Sequence, residues 1–579
     1  MAKQTSAEHR TGTDEQFGTA EQTDQVGSGD GTVQASDGAR PGQAGSAGWA
    51  LAASTDASLN QRTKSTDHGR RGLIWAIVAA TVVVAFIVGF VLVRGRGKSD
   101  AAPAGRPSSK VTVGLKLAPS NLDIRNQSGS ALDQLLIGNV YEGLVARDAD
   151  NHVVPSLAQS WDQNADGTLY TFHLNPGMTF SNGHKLDSED VVWSIRELVS
   201  KQYHNADQLK NLQSIEAPDA NTVELRLSAP YSSLLWVLTG RPGLVFDKGA
   251  SYDMKTQAVG SGPYLLTSFV PNDSATLQAN RKYWGERKAK TPTVVVRYLG
   301  DDNAAVNALK SKDVQVLAPI TENLATPFRS DKDHYQVQAG DDTDKYVLAF
   351  NSKGPKTADL RVRQAIRHTI DHQELIASRG GSDKALGGPI PSLDPGYEDL
   401  TGLYKHDVAK ARELMAQAGY SPANPLELRL TYANTYGTEL GDQLRSQLKP
   451  IGIDLKVNVV EFSTWLQDVY QNHDYDLSLV DHNESHDFSQ WTSPDYYYGY
   501  DNPKVRRLYD QAMASTKPKD TSRLLAQAAR QVSQDAPADW LFNYRVTTAE
   551  LKGVKGFPLN LNQTLMPLRD LTYCPGVGD

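Results

Sequence analysis

Cysteine is almost absent from the sequence: Cys574 is the single cysteine among 579 residues. One cysteine excludes an intrachain disulfide, which is compatible with a cytoplasmic protein or with a large exported protein that needs no covalent cross-link. It also excludes a lipid-modified cysteine behind an amino-terminal apolar segment, because Cys574 lies near the other end of the chain. Cysteine content therefore leaves both compartments open.

Basic stripes and enzyme motifs are also missing. The formal net charge is −8, and no basic segment with interleaved aromatic residues appears, so nucleic acid is not an expected partner. The sequence has no G-x-S-x-G elbow, no H-E-x-x-H motif and no glycine-rich dinucleotide turn. A pair of acids on separate segments would escape such a motif search. We predict that the protein is not an enzyme and that it needs no cofactor.

Large apolar residues are scarce at the amino terminus. Residues 1–72 are dominated by Gly, Ser, Thr, Gln and Asp, and their large apolar side chains are Met1, Phe17, Val26, Val33, Trp49, Leu51 and Leu59. Such a segment cannot bury enough surface to offset its chain entropy. We therefore predict a disordered tail.

The next segment has the opposite composition. Residues 73–93, LIWAIVAATVVVAFIVGFVLV, are apolar or small and carry no charge. As a helix they would reach about 30 Å, the thickness of a bilayer core, so the sequence predicts a transmembrane anchor. A cleavable signal peptide is less favoured, because a long segment precedes the apolar run. Basic residues flank both of its ends, so the positive-inside rule does not decide the orientation.

The body of the chain, residues 110–579, follows a predicted linker over residues 94–109. Segments of alternating polarity such as KVTVGLKL, YTFHL and TVELRL predict strands. One helix is predicted over Leu360–Ile376, and another begins at Asp407. The strand LELRLTY, a leucine-rich helix and the strand IDLKVNVV then follow in order. Strand–helix–strand order predicts an open α/β sheet with helices on its faces.

The segment TFSNGHKLDSEDVVWSI, residues 179–195, concentrates one histidine and three acids. The apolar residues that follow repeat with helical spacing, which puts Asp187 at the N-cap and Asp190 three residues later, as in a capping box. Glu189 then lies at the positive end of the helix dipole. We interpret these acids as a helix cap and not as a metal or acid–base site.

Several separated motifs carry a family resemblance. They are NVYEGLVARDADNHVVPSLAQSWDQNADGTLYTFHLNPGMTFSNGHKLDSEDVVWSI, then VGSGPYLLTSF with ANRKYWG, and then LAFNSKGPKTADLRVRQAIRHTID. In this order they resemble the family 5 extracellular solute-binding proteins, the dipeptide, oligopeptide and nickel receptors of ABC importers. The likeness covers nearly the whole body.

The resemblance implies an α/β fold of the two-lobed periplasmic-binding-protein kind (type II, Venus-flytrap) with an extra subdomain. Lobe 1 would comprise residues 110–145, 256–343 and 544–579, its subdomain residues 146–255, and lobe 2 residues 344–543. A hinge near residues 340–345 and 543–546 would close the lobes on the ligand.

The resemblance also implies a function. The protein would be a monomeric extracytoplasmic receptor, held at the cell membrane by residues 73–93, that delivers a peptide-like or other polar solute to ABC permease subunits. Two alternatives stay open. The long tail suggests a membrane-anchored ligand sensor, and one loop of the body suggests a metal or metal-chelate binding protein.

Family members that bind peptides commonly carry a Tyr-Asp pair, a short strand, a Trp and an acid that pairs with the peptide amine. Here the pair is followed by LSLVDHNESHDFSQW, residues 477–491. His482 occupies the position of the Trp. A simple alignment without gaps places Ser485 at the position of the acid, so the acid would be Glu484 or Asp487 instead. Because ionisable groups are costly to bury unpaired, we expect residues 481–487, including Asp481, either to contact the ligand or to remain exposed to solvent.

The same loop suggests a metal site. His482, Glu484 and His486 alternate, so on an extended chain their side chains share one face. Imidazole and carboxylate suit nickel, zinc or copper. No fourth ligand is identifiable, so a polar ligand-contacting loop and a solvated surface loop are the competing interpretations.

Three features of lobe 1 complete the predicted site. The loop Asn121–Ser130 follows the carboxyl end of a strand, where open α/β sheets usually bind ligands. Trp236 is a stacking aromatic or a core residue. Arg241 could grip a ligand carboxylate with two parallel hydrogen bonds or serve the fold alone.

Overall fold

The structure is a computed structural model that describes residues 106–577. The predicted tail, the predicted transmembrane helix and most of the predicted linker lie outside the described residues. Between residues 106 and 577, no helix has the length and apolar composition that crossing a membrane requires.

Strands and helices alternate irregularly along the described chain. The strands are β1 (Lys110–Leu115), β2 (Val145–Arg147), β3 (Val153–Pro155), β4 (Ala158–Gln163), β5 (Leu169–Leu174), β6 (Leu212–Asp219), β7 (Thr222–Leu227), β8 (Tyr264–Val270), β9 (Ser274–Ala279), β10 (Thr293–Tyr298), β11 (Val316–Ala318), β12 (Tyr335–Phe350), β13 (Leu426–Ala433), β14 (Ile453–Val460), β15 (Leu477–His482), β16 (Ala538–Leu551), β17 (Val554–Lys555) and β18 (Thr572–Tyr573). The α-helices are α1 (Ser130–Leu136), α2 (Ser188–Lys201), α3 (Leu234–Val237), α4 (Asp302–Lys310), α5 (Glu322–Ser330), α6 (Leu360–Thr369), α7 (His372–Ser378), α8 (Val408–Gln417), α9 (Glu439–Leu448), α10 (Phe462–Trp465), α11 (Pro503–Met513) and α12 (Pro518–Asp535).

One mixed sheet organises the fold. Its ten strands run in the order β14-β13-β15-β12-β16-β11-β1-β10-β9-β8. Parallel pairs join β1 to β10 and β11, and β13 to β14, while β12 runs antiparallel to β15 and β16. The predicted α/β sheet is confirmed, although antiparallel strands occupy its centre.

The long strands β12 and β16 cross the middle of this sheet side by side. Residues 335–341 of β12 pair with residues 545–551 of β16, next to β11. Residues 345–349 of β12 pair with residues 538–543 of β16, and also with β15. The two strands therefore join one half of the sheet, built from β1 and β8–β11, to the other half, built from β13–β15.

The halves have separate hydrophobic cores. Val113 and Val296 belong to the core of the first half, and Leu428 and Leu479 to the core of the second. Successive side chains of β12 point to opposite faces of the sheet. Leu348 therefore packs in the same core as Leu428, whereas Val347 and Ala349 pack in an aromatic core around Trp540 on the other face.

A smaller antiparallel sheet, β4-β5-β7-β6, packs on α2 and forms a third core with Phe172, Ile195 and Leu225. The residue boundaries of the two lobes and the subdomain stay a prediction.

Helix caps explain one success and one error of the sequence analysis. The predicted capping box of α2 is confirmed: an Asp187 carboxylate oxygen accepts from the backbone N–H of Glu189, and Asp190 accepts from that of Asp187, both at 3.1 Å. The single helix predicted over Leu360–Ile376 is wrong. Asp371 caps a new helix there by accepting from two backbone N–H groups at 3.0 Å, so α6 ends and α7 begins.

Candidate functional site

A bulge in β12 lies where the two halves of the large sheet meet. Between the pairs Asp341–Arg545 and Lys345–Asn543, β12 has three residues, Asp342, Thr343 and Asp344, opposite a single residue of β16. We call residues 342–344 the β12 bulge. The Asn543 side-chain amide braces it by donating to the carbonyls of Asp342 and Asp344 at 3.0 and 2.7 Å. Bulges bend a strand and re-aim side chains, commonly next to binding sites.

Three carboxylates gather at the bulge without a full set of partners. Asp342 and Asp344 are completely buried, and Asp481 is the penultimate residue of the neighbouring strand β15, opposite Tyr346. One oxygen of Asp342 accepts from the Thr343 N–H at 2.8 Å, and one of Asp344 accepts from the Gln563 amide at 2.6 Å. Among the described residues, no donor reaches Asp342 Oδ2, Asp344 Oδ1 or Asp481 Oδ1. Such orphaned acceptors are costly, so they call for an explanation.

Burial raises the pKa of all three carboxyl groups. It raises the pKa of Asp342 to about 6 and that of Asp481 to about 7, although Lys345 works in the opposite direction in both cases. The pKa of Asp344 is raised well above its usual range, first by burial and then by the charges of Asp481 and Asp342. The three groups therefore interact electrostatically and hold their negative charge at a cost.

Lys345 is the buried cation beside this group. Its side chain is 1% exposed, and its ammonium donates to the carbonyls of Thr343 and Glu484 at 3.0 and 2.8 Å and pairs with Asp487 at 3.2 Å. An ammonium has three N–H donors, and these three contacts use them all. Lys345 therefore ties the bulge to the loop at residues 483–487 and leaves no donor for the three acids.

That loop also contacts the segments near β3 and α3. Asn151 donates to Ser485 Oγ at 2.8 Å and to Asp394 at 3.0 Å, and Asp394 accepts from the His486 N–H at 2.8 Å. The Trp236 ring stacks on the His486 ring, with centroids 4.2 Å apart and an angle of 11° between the planes. We call these five residues the latch, because they join elements that are distant in sequence across the site.

A small crevice lies beside the latch. Its volume is about 20 Å³, room for about one water molecule, and it is lined by Ser233, Ile390, Asp394, His486, Phe488 and Met513. Asp487 adds a second carboxylate to its wall. In this structure the crevice is too small to hold a solute.

The histidine at the predicted Trp position is held by tyrosines. His482 Nε2 lies 3.0 Å from the Tyr497 hydroxyl and 2.7 Å from the Tyr498 hydroxyl. Burial lowers the pKa of His482 to about 3, and the charge of Lys345 adds to this effect. The ring is therefore neutral at physiological pH, and its Nε2 is already engaged.

The candidate metal ligands do not converge. The described residues contain one group of three ligating side chains whose donor atoms lie within 4.8 Å of one another, and it is Asp148, Asp150 and His152. His482, Glu484 and His486 do not form such a group. In this geometry the loop lacks the first requirement of a direct metal site, which is ligand convergence.

Arg241 serves a loop rather than the bulge. It is buried, it pairs with Asp133 at 2.8 Å, and it donates to the carbonyls of Ile124 at 2.8 Å and of Gln127. These contacts hold the predicted ligand-facing loop Asn121–Ser130 in place. Among the described residues, Arg241 makes no hydrogen bond or ion pair with Asp481, Asp487, Trp236 or the β12 bulge.

Comparison with known proteins defines the family. Residues 152–504 match the family model described as bacterial extracellular solute-binding proteins, family 5 middle. The chain belongs to this family.

Relatives and solved structures agree with that assignment. Protein XP55 of Streptomyces lividans is 29% identical over 439 residues, which cover 70% of this chain and 76% of that protein. The periplasmic murein peptide-binding protein MppA of Escherichia coli is 23% identical over 488 residues, covering 77% and 90%. The structure of the ABC transporter substrate-binding protein CtaP from Listeria monocytogenes has a TM-score of 0.72 at 19% identity and covers 81% of this chain and all of that one. These likenesses show the two-lobed α/β fold.

The β12 bulge and most of the latch of this solute-binding protein were not predicted from its sequence. One signal was present: the run Asp341-Asp342-Thr343-Asp344-Lys345 interrupts an otherwise strand-like segment with residues that disfavour strands. Asn151 and Asp394 gave no signal, since isolated polar residues in loops are common.

Proposed function

We propose that the protein is an extracytoplasmic receptor that encloses a peptide-like or other polar solute between its two lobes and delivers it to ABC permease subunits. The observation that carries this proposal is the charged group at the crossing of the two halves, where buried carboxylates lie beside a latch joining distant elements. A receptor that closes on its ligand needs polar groups of this kind at its hinge and between its lobes.

The relatives support the class of solute. MppA is named for a murein peptide. The loop of residues 481–487 supports a polar ligand as well, because it supplies Asp481 to the acidic group and His486 to the latch. We propose that this loop and the β12 bulge contact the solute, with Trp236 contributing through the latch. Asp487 and His482 would support the loop through Lys345 and the two tyrosines.

The extracytoplasmic location follows from the family and from the use of a receptor, which must lie where the solute is. We propose that residues 73–93 anchor the body at the membrane and that the tail lies inside. Protease added to intact cells should remove the body and spare the tail. A protected body would contradict both the location and the delivery of solute to an importer.

The central test identifies the solute and the motion. The full chain, purified in detergent, is analysed by mass spectrometry for small molecules that dissociate on unfolding, and the recovered solute is added back to solute-free protein. Small-angle scattering, after subtraction of the detergent contribution, should show a smaller radius at saturation. An unchanged radius would indicate a rigid binder, and turnover of the solute would indicate an enzyme.

A pull-down separates the importer from the sensor alternative. Permease subunits recovered with the full chain would support import. A kinase or a regulator recovered only while residues 1–72 are present would instead support sensing.

A further inference from the structure

Three carboxylates that each have one unpartnered oxygen indicate the charge of the solute. One buried carboxylate oxygen in each of Asp342, Asp344 and Asp481 accepts no hydrogen bond from any donor among residues 106–577. A folded protein that keeps three such acceptors in one place pays for each of them in stability. A cation that enters with the solute would satisfy them, and it would do so only in the bound state.

Two of the protein's own cations near these acids, Lys345 and Arg379, are committed elsewhere. Lys345 uses its three donors on two carbonyls and Asp487. Arg379 pairs with Asp383 at 2.7 Å and lies over the Phe542 ring at 4.5 Å. Arg147 lowers the pKa of Asp342, donates to Asn151 Oδ1 at 3.1 Å and lies 5.5 Å from the Trp236 ring centroid. Its Nε has no hydrogen-bond partner among the described residues, so Arg147 offsets part of the negative charge without donating to the three free carboxylate oxygens.

The charges around the group are therefore unequal. The carboxylates of the bulge, the loop and the latch are Asp342, Asp344, Asp481, Asp487 and Asp394, whereas the cations that face them are Lys345 and Arg147. Arg379 and Asp383 offset one another. When these groups are ionised the excess charge is negative, in keeping with the raised pKa values of Asp342, Asp344 and Asp481. A neutral donor would satisfy an oxygen without offsetting this charge, an anionic group would add to it, and a cationic group would both donate and offset it.

The spacing of the acids restricts the kind of cation. No choice of one oxygen from each of the three carboxylates brings all three within 4.8 Å of one another, since the described residues hold such a group only at Asp148, Asp150 and His152. The three acceptors of one tetrahedral ammonium lie about 4.6 Å apart at an N···O distance of about 2.8 Å. A single ammonium nitrogen, like a single metal ion, is too compact to reach all three.

We propose that the solute carries N–H donors of positive charge on two or more nitrogens, as a guanidinium group or a pair of amines, and that Asp342, Asp344 and Asp481 bind it at the β12 bulge. A guanidinium group spreads five N–H donors over a plane and suits carboxylates well. Two amines on one solute reach separate carboxylates. This inference rests on the proposed receptor function and adds the charge of the solute to it.

The test compares probes of similar size that differ in the number and arrangement of their cationic nitrogen atoms. Calorimetry on the solute-free full chain uses two series: the tripeptides Ala-Arg-Ala, Ala-Lys-Ala and Ala-norleucine-Ala, each acetylated at its amino terminus so that only the side chain can carry positive charge, and the amines butylguanidine, 1,4-diaminobutane and butylamine. In at least one series, the guanidinium or diamine member should bind ten times more tightly than its singly charged ammonium counterpart. A charged hydrogen bond is worth about 1.5–3 kcal/mol, and each 1.4 kcal/mol is tenfold in affinity.

Variants then assign the preference to the three acids. Asp344→Asn and Asp481→Asn should each reduce the preference at least tenfold. Asp341→Asn is the matched control, because that carboxylate lies on the same strand but is already paired with Lys384 and Arg545 at 2.8 and 2.7 Å. Its preference should match wild type. A preference that survives Asp344→Asn and Asp481→Asn would overturn the assignment.

The outcomes separate this inference from the receptor function. Equal binding of Ala-Arg-Ala and Ala-norleucine-Ala would keep the receptor function and overturn the inference. No binding by any guanidinium or diamine probe at 10 mM would also overturn it, whatever solute co-purifies. Binding by the amines without the peptides would support the inference and contradict a peptide solute.

Discussion

Substituting Asp481 by Asn should stabilise the solute-free protein at alkaline pH, although it should weaken solute binding. Burial raises the pKa of this carboxyl from 3.8 to about 7, so the folded state holds the proton more tightly than the unfolded state does. The stability that this provides is complete below about pH 4 and is lost as the pH rises through 7. Asn carries no charge and has no such loss.

The magnitude follows from the shift. A change of about three pKa units at 1.36 kcal/mol each makes the charged Asp481 cost about 4 kcal/mol at pH 8. The charged groups that face it are Lys345, Asp342, Asp344, Arg379 and Asp383, with the hydroxyls of Tyr346, Tyr436 and Tyr544 nearby. Removing one negative charge also eases ionisation of Asp344. The free energy of unfolding of Asp481→Asn should therefore exceed that of wild type by about 4 kcal/mol at pH 8, with little difference at pH 4.

Urea denaturation of the solute-free protein, followed by tryptophan fluorescence from pH 4 to pH 8, measures this difference. Asp341→Asn provides a control of opposite sign. Burial alone would raise the pKa of Asp341, but its ion pairs with Lys384 and Arg545 lower it overall. That variant should lose stability at pH 8 and approach wild type at low pH. A difference between Asp481→Asn and wild type that is independent of pH, or a less stable Asp481→Asn at pH 8, would refute the reasoning.

Other substitutions test the surrounding structure. Trp236→Ala removes the ring that stacks on His486, so calorimetry with the co-purified solute should show about fivefold weaker binding, the equivalent of about 1 kcal/mol; unchanged affinity would argue against the latch. His482 should show no imidazole titration by NMR between pH 5 and pH 8, because burial lowers its pKa to about 3; a midpoint in that range would contradict the tyrosine contacts. Asp187→Ala removes the cap of α2 and should lower the free energy of unfolding by about 1 kcal/mol while solute affinity stays constant; weaker binding would link this helix to the site. Chelator treatment should leave solute affinity unchanged, since His482, Glu484 and His486 do not converge, and loss of binding would favour a metal complex as the solute.

Local rules accounted for the secondary structure wherever neighbours in sequence decide it. Asp187 and Asp190 predicted the start of α2 because a capping box involves residues three positions apart. The alternation of polar and apolar residues in TVELRL predicted β7, because side chains alternate between the two faces of a strand over neighbouring positions. The single helix over Leu360–Ile376 failed because apolar spacing continues through Asp371, whose side chain stops one helix by capping the next. The ordered family motifs predicted the two-lobed fold, since motifs spread over a long chain identify a common ancestor and thus a common architecture.

The site depended on contacts that no local pattern contains. The sequence by itself determined which residue types are available: the acids of the 481–487 loop, an Asp-rich interruption of β12, and an indole at Trp236. Only the tertiary structure decided that Asp481 faces Asp342 and Asp344, that Lys345 forms an ion pair with Asp487, and that Trp236 stacks on His486. The physical reason is that burial and pairing set the cost of a charge, and both depend on which strands lie side by side in the sheet.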